Sequence, residues 1–285
     1  MRFDEIIIGR SDSTVTVFVP WDCGNNCPFC TTKQEYREVY GGKSLDEKMA
    51  AVERSLRRLA NSEHIENVVF TGGEPFADMD RLGRLIEEVP GSKRCFVNTS
   101  LHISDREGFM EKVGRCRIDG ISLSSHIADE GFFDSEVLEF ARGLGDKIKI
   151  RVNSLVKGDE DVGKIRMFCR TVLGEGGFEY LNLRADYRKI TPGGLGTCED
   201  EFFRSLMAIP DWRYQGFRGC LVCRTDMFET PYGRVDYHRG TERTALVFGR
   251  KLVINDFVVK QDGEMRFDWD KEAVITEEMA AALGL

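Results

Sequence analysis

No run of apolar residues in this 285-residue chain approaches the roughly 20 that a membrane-spanning helix requires, which argues against a span of that kind. Surplus positive charge is missing too. Lys and Arg number 40 against 48 Asp and Glu, a formal net charge of -8, which argues against a broad electrostatic grip on DNA or RNA. There is no low-complexity tract and no short-period repeat. Nine cysteines are an odd number and, over this length, too sparse for a disulfide-built scaffold. Reduced thiols, some of them metal ligands, are the expectation left standing, and with them a soluble, cytoplasmic protein. With 41% hydrophobic side chains the chain can bury a substantial core.

Periodicity then gives a regular alternation. Six short runs predict strands: TVTVFVP (14–20), ENVVFTGG (66–73), KRCFVNTS (93–100), DGISLSSH (119–126), KIKIRVNSLV (147–156) and FEYLNLRAD (178–186). Helical patterns lie between them at 44–60, 78–89, 104–113, 134–144 and 159–173, the first opening on a capping Ser44. Strands alternating with helices predict right-handed parallel β/α units. After a helix at 199–209 the pattern changes, and the Gly-containing turns TPYGR, FGRK and KQDGE predict antiparallel hairpins. The change is placed near residues 190–200, at TPGGLGT, giving domains of 1–195 and 196–285.

The stretch DCGNNCPFC (22–30) sets Cys23, Cys27 and Cys30 within eight positions. A structural zinc site needs four ligands, usually two separated pairs, so three close thiols make an incomplete tetrahedron. A 4Fe-4S cluster held by three thiolates instead leaves one iron open. Gly24, Asn25 and Asn26 tolerate unusual backbone angles and Pro28 stiffens the wrap. The loop follows the first predicted strand, at the end where barrel-like α/β folds carry their active sites.

This C-x3-C-x2-C spacing, with Phe29 before the third cysteine, resembles that of the radical S-adenosylmethionine (radical SAM) superfamily. A second motif agrees: FTGGEP (70–75), at the end of the next strand, is similar to the superfamily's GGE motif for the methionyl amine of SAM. Gly72 and Gly73 let backbone carbonyls approach an ammonium, Glu74 offers a countercharge, and Pro75 completes the motif. The resemblance covers about the first two hundred residues. It implies an incomplete (β/α)6 TIM-like barrel with a small antiparallel C-terminal appendage, an oxygen-sensitive 4Fe-4S cluster on Cys23, Cys27 and Cys30, SAM as cofactor, and a reductase such as flavodoxin or ferredoxin as electron donor.

Ser122 and Ser124 alternate to one side of the fourth strand, and one of them is expected to reach SAM. His126, Asn98 and Arg184 are weaker candidates at strand ends. RVNSLVKG (151–158) resembles the corresponding strand of the molybdenum-cofactor GTP cyclase branch, which implies that Asn153 contacts SAM with Arg151 nearby. In the tail, Cys220, Cys223 and His238 resemble the twitch-type hairpin of that branch, with histidine where a third cysteine is expected. An auxiliary iron-sulfur cluster, a zinc ion and no metal all stay open there, with Cys198 as a further candidate ligand. Cys95, Cys116 and Cys169 sit in apolar patterns and read as core.

The expected function is a radical SAM enzyme whose 5'-deoxyadenosyl radical abstracts hydrogen from a small-molecule or nucleotide substrate. The first strand starts close to the N-terminus, and the tail resembles the GTP cyclase branch. A peptide maturase is the second reading, and a non-catalytic iron-sulfur electron carrier or metal-binding module a third. The GGEP motif separates the last from the others, since a carrier has no use for an amine-binding turn.

Overall fold

The structure, a computed structural model, describes residues 3–9, 13–25, 27, 30, 42–101, 103, 105–127, 135–145, 148–156, 160–185, 201–219, 224–239, 245–269 and 271–285. In chain order the elements are β1 (Glu5–Ile8), β2 (Ser13–Phe18), α1 (Leu45–Ala60), β3 (Ile65–Thr71), α2 (Met79–Glu87), β4 (Arg94–Thr99) and α3 (Arg106–Val113). They continue as β5 (Gly120–Ser124), α4 (Ser135–Gly145), β6 (Lys149–Val156), α5 (Val162–Cys169), β7 (Tyr180–Ala185) and α6 (Glu201–Met207). The tail adds β8 (Arg213–Arg218), β9 (Thr225–Thr230), β10 (Gly233–His238), β11 (Leu246–Phe248), β12 (Lys251–Ile254), β13 (Asp256–Val259), β14 (Met265–Arg266) and α7 (Glu277–Ala282). All six expected strands form, each followed or preceded by its helix, so the α/β class is as expected. Among the described residues no helix is long and apolar enough to cross a membrane.

Two compact units result, residues 1–119 with 243–285, and residues 120–242. In the first, β13, β2, β3 and β4 run parallel, with β14 antiparallel on β13. Val15, Val17, Val68, Phe70, Cys95 and Val97 are fully buried on these strands, as are Val52, Leu56 and Leu59 of α1 and Leu82 and Leu85 of α2. That alternation along the strands, set against a helical stripe, is the β/α layer pattern. Helix α1 starts where the sequence indicates: Ser44 Oγ accepts from Glu47 N and Glu47 Oε2 accepts from Ser44 N, a complete capping box.

In the second unit β5, β6, β7 and β10 run parallel, and β9 and β8 follow antiparallel. The three hairpins expected at TPYGR, FGRK and KQDGE are present as β9–β10, β11–β12 and β13–β14. The tail is not purely antiparallel, however. Strand β10 pairs in parallel with β7, and β13 pairs in parallel with β2. Each unit's parallel sheet therefore gains a strand from the C-terminal region, which covers hydrogen-bonding groups that would otherwise form an open edge. The short run EIII, at 5–8, becomes β1 and pairs with β12. The described parts of 196–285 divide between the two units, and the expected boundary at TPGGLGT lies outside the described residues.

Candidate functional site

In the first unit, the loop after β2 meets the turn after β3. Trp21 Nε1 donates to the Glu74 carbonyl at 2.9 Å. A Cβ on Gly73 would lie 2.2 Å from the Trp21 carbonyl oxygen, so only glycine lets the two backbones approach this closely. Gly72 has a φ of 108°, a conformation that side chains rarely adopt. The two glycines of the GGE motif are thus required by the backbone path itself.

The Glu74 carboxylate is buried and accepts four hydrogen bonds. Phe76 N and Thr99 Oγ1 donate to one oxygen, at 3.1 and 2.6 Å. Ser100 N and Ser100 Oγ donate to the other, at 3.0 and 2.7 Å. Ser100 Oγ in turn accepts from Asn25 Nδ2 at 2.7 Å. A chain of hydrogen bonds thereby runs from the cysteine loop through the end of β4 to the GGE turn. The sequence reading gave Glu74 the role of countercharge to an ammonium. In the structure these four donors fix the carboxylate at the turn. Leu101, just beyond, is buried in the left-handed region at a φ of 57°.

Cys23 and Cys27 are half-buried and Cys30 is exposed. Asn25 N donates to Cys23 Sγ at 3.3 Å, and Cys30 N to the Cys27 carbonyl at 3.1 Å, which tightens the wrap between those two residues. Burial pushes the Cys23 thiol up, helped by the charge of Glu74 and opposed by the Asn25 amide. Phe29 lies outside the described residues. Among the described residues no three His, Cys, Asp or Glu side chains already converge as a metal site. The donor set still fits a cluster with one open iron: three thiols within eight positions, one already receiving an N–H, on a loop pinned by Trp21 and Asn25. Asn98 lies beyond Phe70↔Val97 in register with Thr71, and its Oδ1 is buried with no hydrogen-bond partner.

In the second unit, register places Ser122 beside Arg151 and Ser124 beside Asn153, all on one face. Arg151 Nε donates to Ser122 Oγ at 2.6 Å, and Asn182 Nδ2 to Asn153 Oδ1 at 3.1 Å. The four residues expected near SAM from this unit therefore share a single polar face, opposite the buried Ile121, Leu123, Val152 and Leu181. His126 is a satisfied polar residue: its Nδ1 accepts from Leu155 N at 3.0 Å, and burial pushes its pKa down to about 4. His238 ends β10 beside Arg184 of β7. Burial first, then Arg184, Arg218 and Arg151, push its pKa down to about 3, and its Nδ1 is buried without a hydrogen-bond partner. Cys198, Cys220 and Cys223 lie outside the described residues.

Cys95 and Cys169 are fully buried and burial pushes both thiols up, Cys95 to about 11; Cys116 is half-buried with its thiol also raised by burial. None of the three has the electropositive setting of a reactive thiol. Sequence reasoning missed Trp21, Thr99 and Ser100, whose importance lies in three-dimensional hydrogen bonding. The position of Thr99 and Ser100 at the end of the third parallel strand is the one signal that marks them.

Residues 22–154 match the family model of the Radical SAM superfamily. No curated protein matches the chain in sequence. Among solved structures, Streptococcus suis SuiB bound to S-adenosylmethionine is similar at a TM-score of 0.55 and 15% identity, over 90% of this chain and 60% of that one. A second SuiB structure gives 0.54 and 13% over the same shares, and one bound to precursor peptide SuiA gives 0.47 and 19% over 61% of this chain and 40% of that one. The chain thus spans at most about 60% of the length of the solved structures it matches. The cysteine loop, the GGE turn and β2 to β6 fall within or beside the segment that matches the Radical SAM superfamily model, and the fold is similar to that of SuiB.

Proposed function

We propose that the protein reductively cleaves SAM and uses the 5'-deoxyadenosyl radical to abstract hydrogen from a small-molecule or nucleotide substrate. The observation that carries this reading is the hydrogen-bond chain Asn25–Ser100–Glu74, which fixes the cysteine loop to the GGE turn. An iron-sulfur electron carrier would need the thiols alone and has no use for that coupling.

A 4Fe-4S cluster held by Cys23, Cys27 and Cys30 would supply the electron that breaks a carbon-sulfur bond of SAM, giving methionine and the radical. The chain's own residues bind and orient. The Gly72–Gly73 turn brings the backbone close to the cysteine loop with no side chain of its own, and Asn98 Oδ1 offers a buried acceptor for an ammonium. Glu74 adds negative charge while holding Ser100 and, through it, the cysteine loop. Ser122, Ser124, Arg151 and Asn153 of the second unit are assigned to SAM as well. The possible auxiliary site on Cys220, Cys223 and His238 includes two cysteines that lie outside the described residues.

The test is 5'-deoxyadenosine formation by mass spectrometry, using anaerobically reconstituted, dithionite-reduced full chain with SAM. Native protein is expected to produce it and a Cys23→Ala, Cys27→Ala, Cys30→Ala variant to produce none. Equal signals from both would sink the reading.

A further inference from the structure

Among the described residues most arginines of the β8–β10 region pair with buried acids, and Arg184 of β7 does not. Arg218 and Arg234 share Asp236, at 2.7 Å each, and Arg224 and Arg239 share the fully buried Asp226, at 2.8 Å each. Arg151 is held by the neutral hydroxyls of Ser122 and Tyr180. Arg184 has no acid beside it among the described residues. Water reaches its side chain, yet protein surrounds it closely enough that desolvation lowers its pKa, with Arg151 lowering it further. A guanidinium whose charged neighbour among the described residues is another cation, Arg151, is a group that an anion would compensate.

Its neighbour supplies the second observation. Arg184 and His238 are Cα partners in the parallel β7–β10 ladder, so their side chains stand side by side on one face. The Nδ1 of His238 is buried with no hydrogen-bond partner. In its neutral Nδ1–H form it is a buried donor with only its own backbone in reach. Both residues lie at the C-terminal ends of their strands, where α/β sheets bind ligands. Three positive groups, Arg184, Arg218 and Arg151, act on this position. A cationic or apolar ligand would leave both residues uncompensated, whereas an oxyanion satisfies the fork and the imidazole together.

We propose that Arg184 and His238 bind an anionic group of the substrate, a carboxylate or a phosphate. The proposal rests on the radical SAM reading for the word substrate. The SAM carboxylate is the other source of the same chemistry, and the experiment separates the two.

Isothermal titration calorimetry of the reconstituted full chain would use inorganic phosphate and malonate at constant ionic strength. One saturable site is expected, weakened at least tenfold in Arg184→Gln, less in Arg184→Lys, and unchanged in the exposed control Arg204→Gln. His238→Phe should weaken it several-fold, and His238→Asn, which returns a donor near the Nδ1 position, should recover part of the loss. Thermal unfolding of each variant identifies any that fail to fold, in which case Arg184→Lys and His238→Asn carry the comparison. SAM affinity is measured alongside. A SAM dissociation constant unchanged in Arg184→Gln supports the substrate assignment, and a tenfold loss overturns it by giving the site to SAM. No saturable site in the wild type, or wild-type binding by Arg184→Gln, also overturns it. Wild-type 5'-deoxyadenosine formation is scored separately, so failure of the radical reading shows as its absence whatever the phosphate result.

Discussion

Gly73 and Glu74 show how much of a cofactor turn is backbone engineering. Gly73→Ala drives a Cβ into the Trp21 carbonyl, a contact that a backbone must move to relieve. Overpacking of this kind costs about 1–3 kcal/mol, and the expected result is a lowered unfolding midpoint with SAM cleavage lost by more than tenfold. Glu74→Ala leaves the donors of Phe76, Thr99 and Ser100 without their acceptor. A buried unsatisfied group costs about 1–3 kcal/mol, so the variant should lose stability on that order in urea unfolding, and Ser100→Ala should lose less. His126 gives a pH prediction. Its folded pKa, about 4, lies below the unfolded value, so the unfolded chain takes up its proton first as pH falls. Stability associated with His126 is intact above about pH 6.5 and is lost as pH drops from there toward 4. His126→Asn keeps an acceptor for Leu155 N without titrating, and its stability should vary less with pH over that window.

Elements were legible where local chemistry and tertiary packing agree. The capping Ser44 predicted the start of α1, and short apolar or alternating runs predicted β2 to β7. Ser44→Ala should cost about 1 kcal/mol, read as a shift in the urea midpoint. Strand β8 escaped because RYQGFR has an irregular polar pattern. What holds it beside β9 is nonlocal: Tyr214 donates to Asp226, which Arg224 and Arg239 also contact. Asp226→Asn is expected to destabilise the second unit by about 1–3 kcal/mol, because it takes a fully buried acceptor charge from two part-buried guanidiniums. Proteolysis within 213–239 would reveal it. The site residues divide in the same way: three cysteines and two glycines are recognisable by spacing, while Thr99 and Ser100 acquire meaning only from what the sheet places beside them, and the pairing of Arg184 with His238 is visible only in the β7–β10 register.

At the scale of the molecule, the sequence pointed to a domain and an appendage, and the chain builds two units that both draw on the tail. The reason is strand pairing across long separations, to which periodicity is blind. Strand β13 pairs with β2 in parallel, and Thr14 N donates to Asp256 Oδ1 across 242 residues at 3.3 Å. Truncation after Glu242 removes β11 to β14 and α7. The truncated chain should lose cooperative unfolding of the first unit, visible as rapid limited proteolysis between residues 45 and 113.

That same pairing sets an order of events during synthesis. Strand β2 leaves the ribosome early and must wait with one side uncovered for more than two hundred further residues before β13 arrives. The cysteine loop hangs from the end of this waiting strand. On the proposed reading, a metal cluster inserted before β13 arrives would be gripped by a sheet whose edge is still open to solvent and oxygen, so its loading is expected to follow the pairing of β13 with β2.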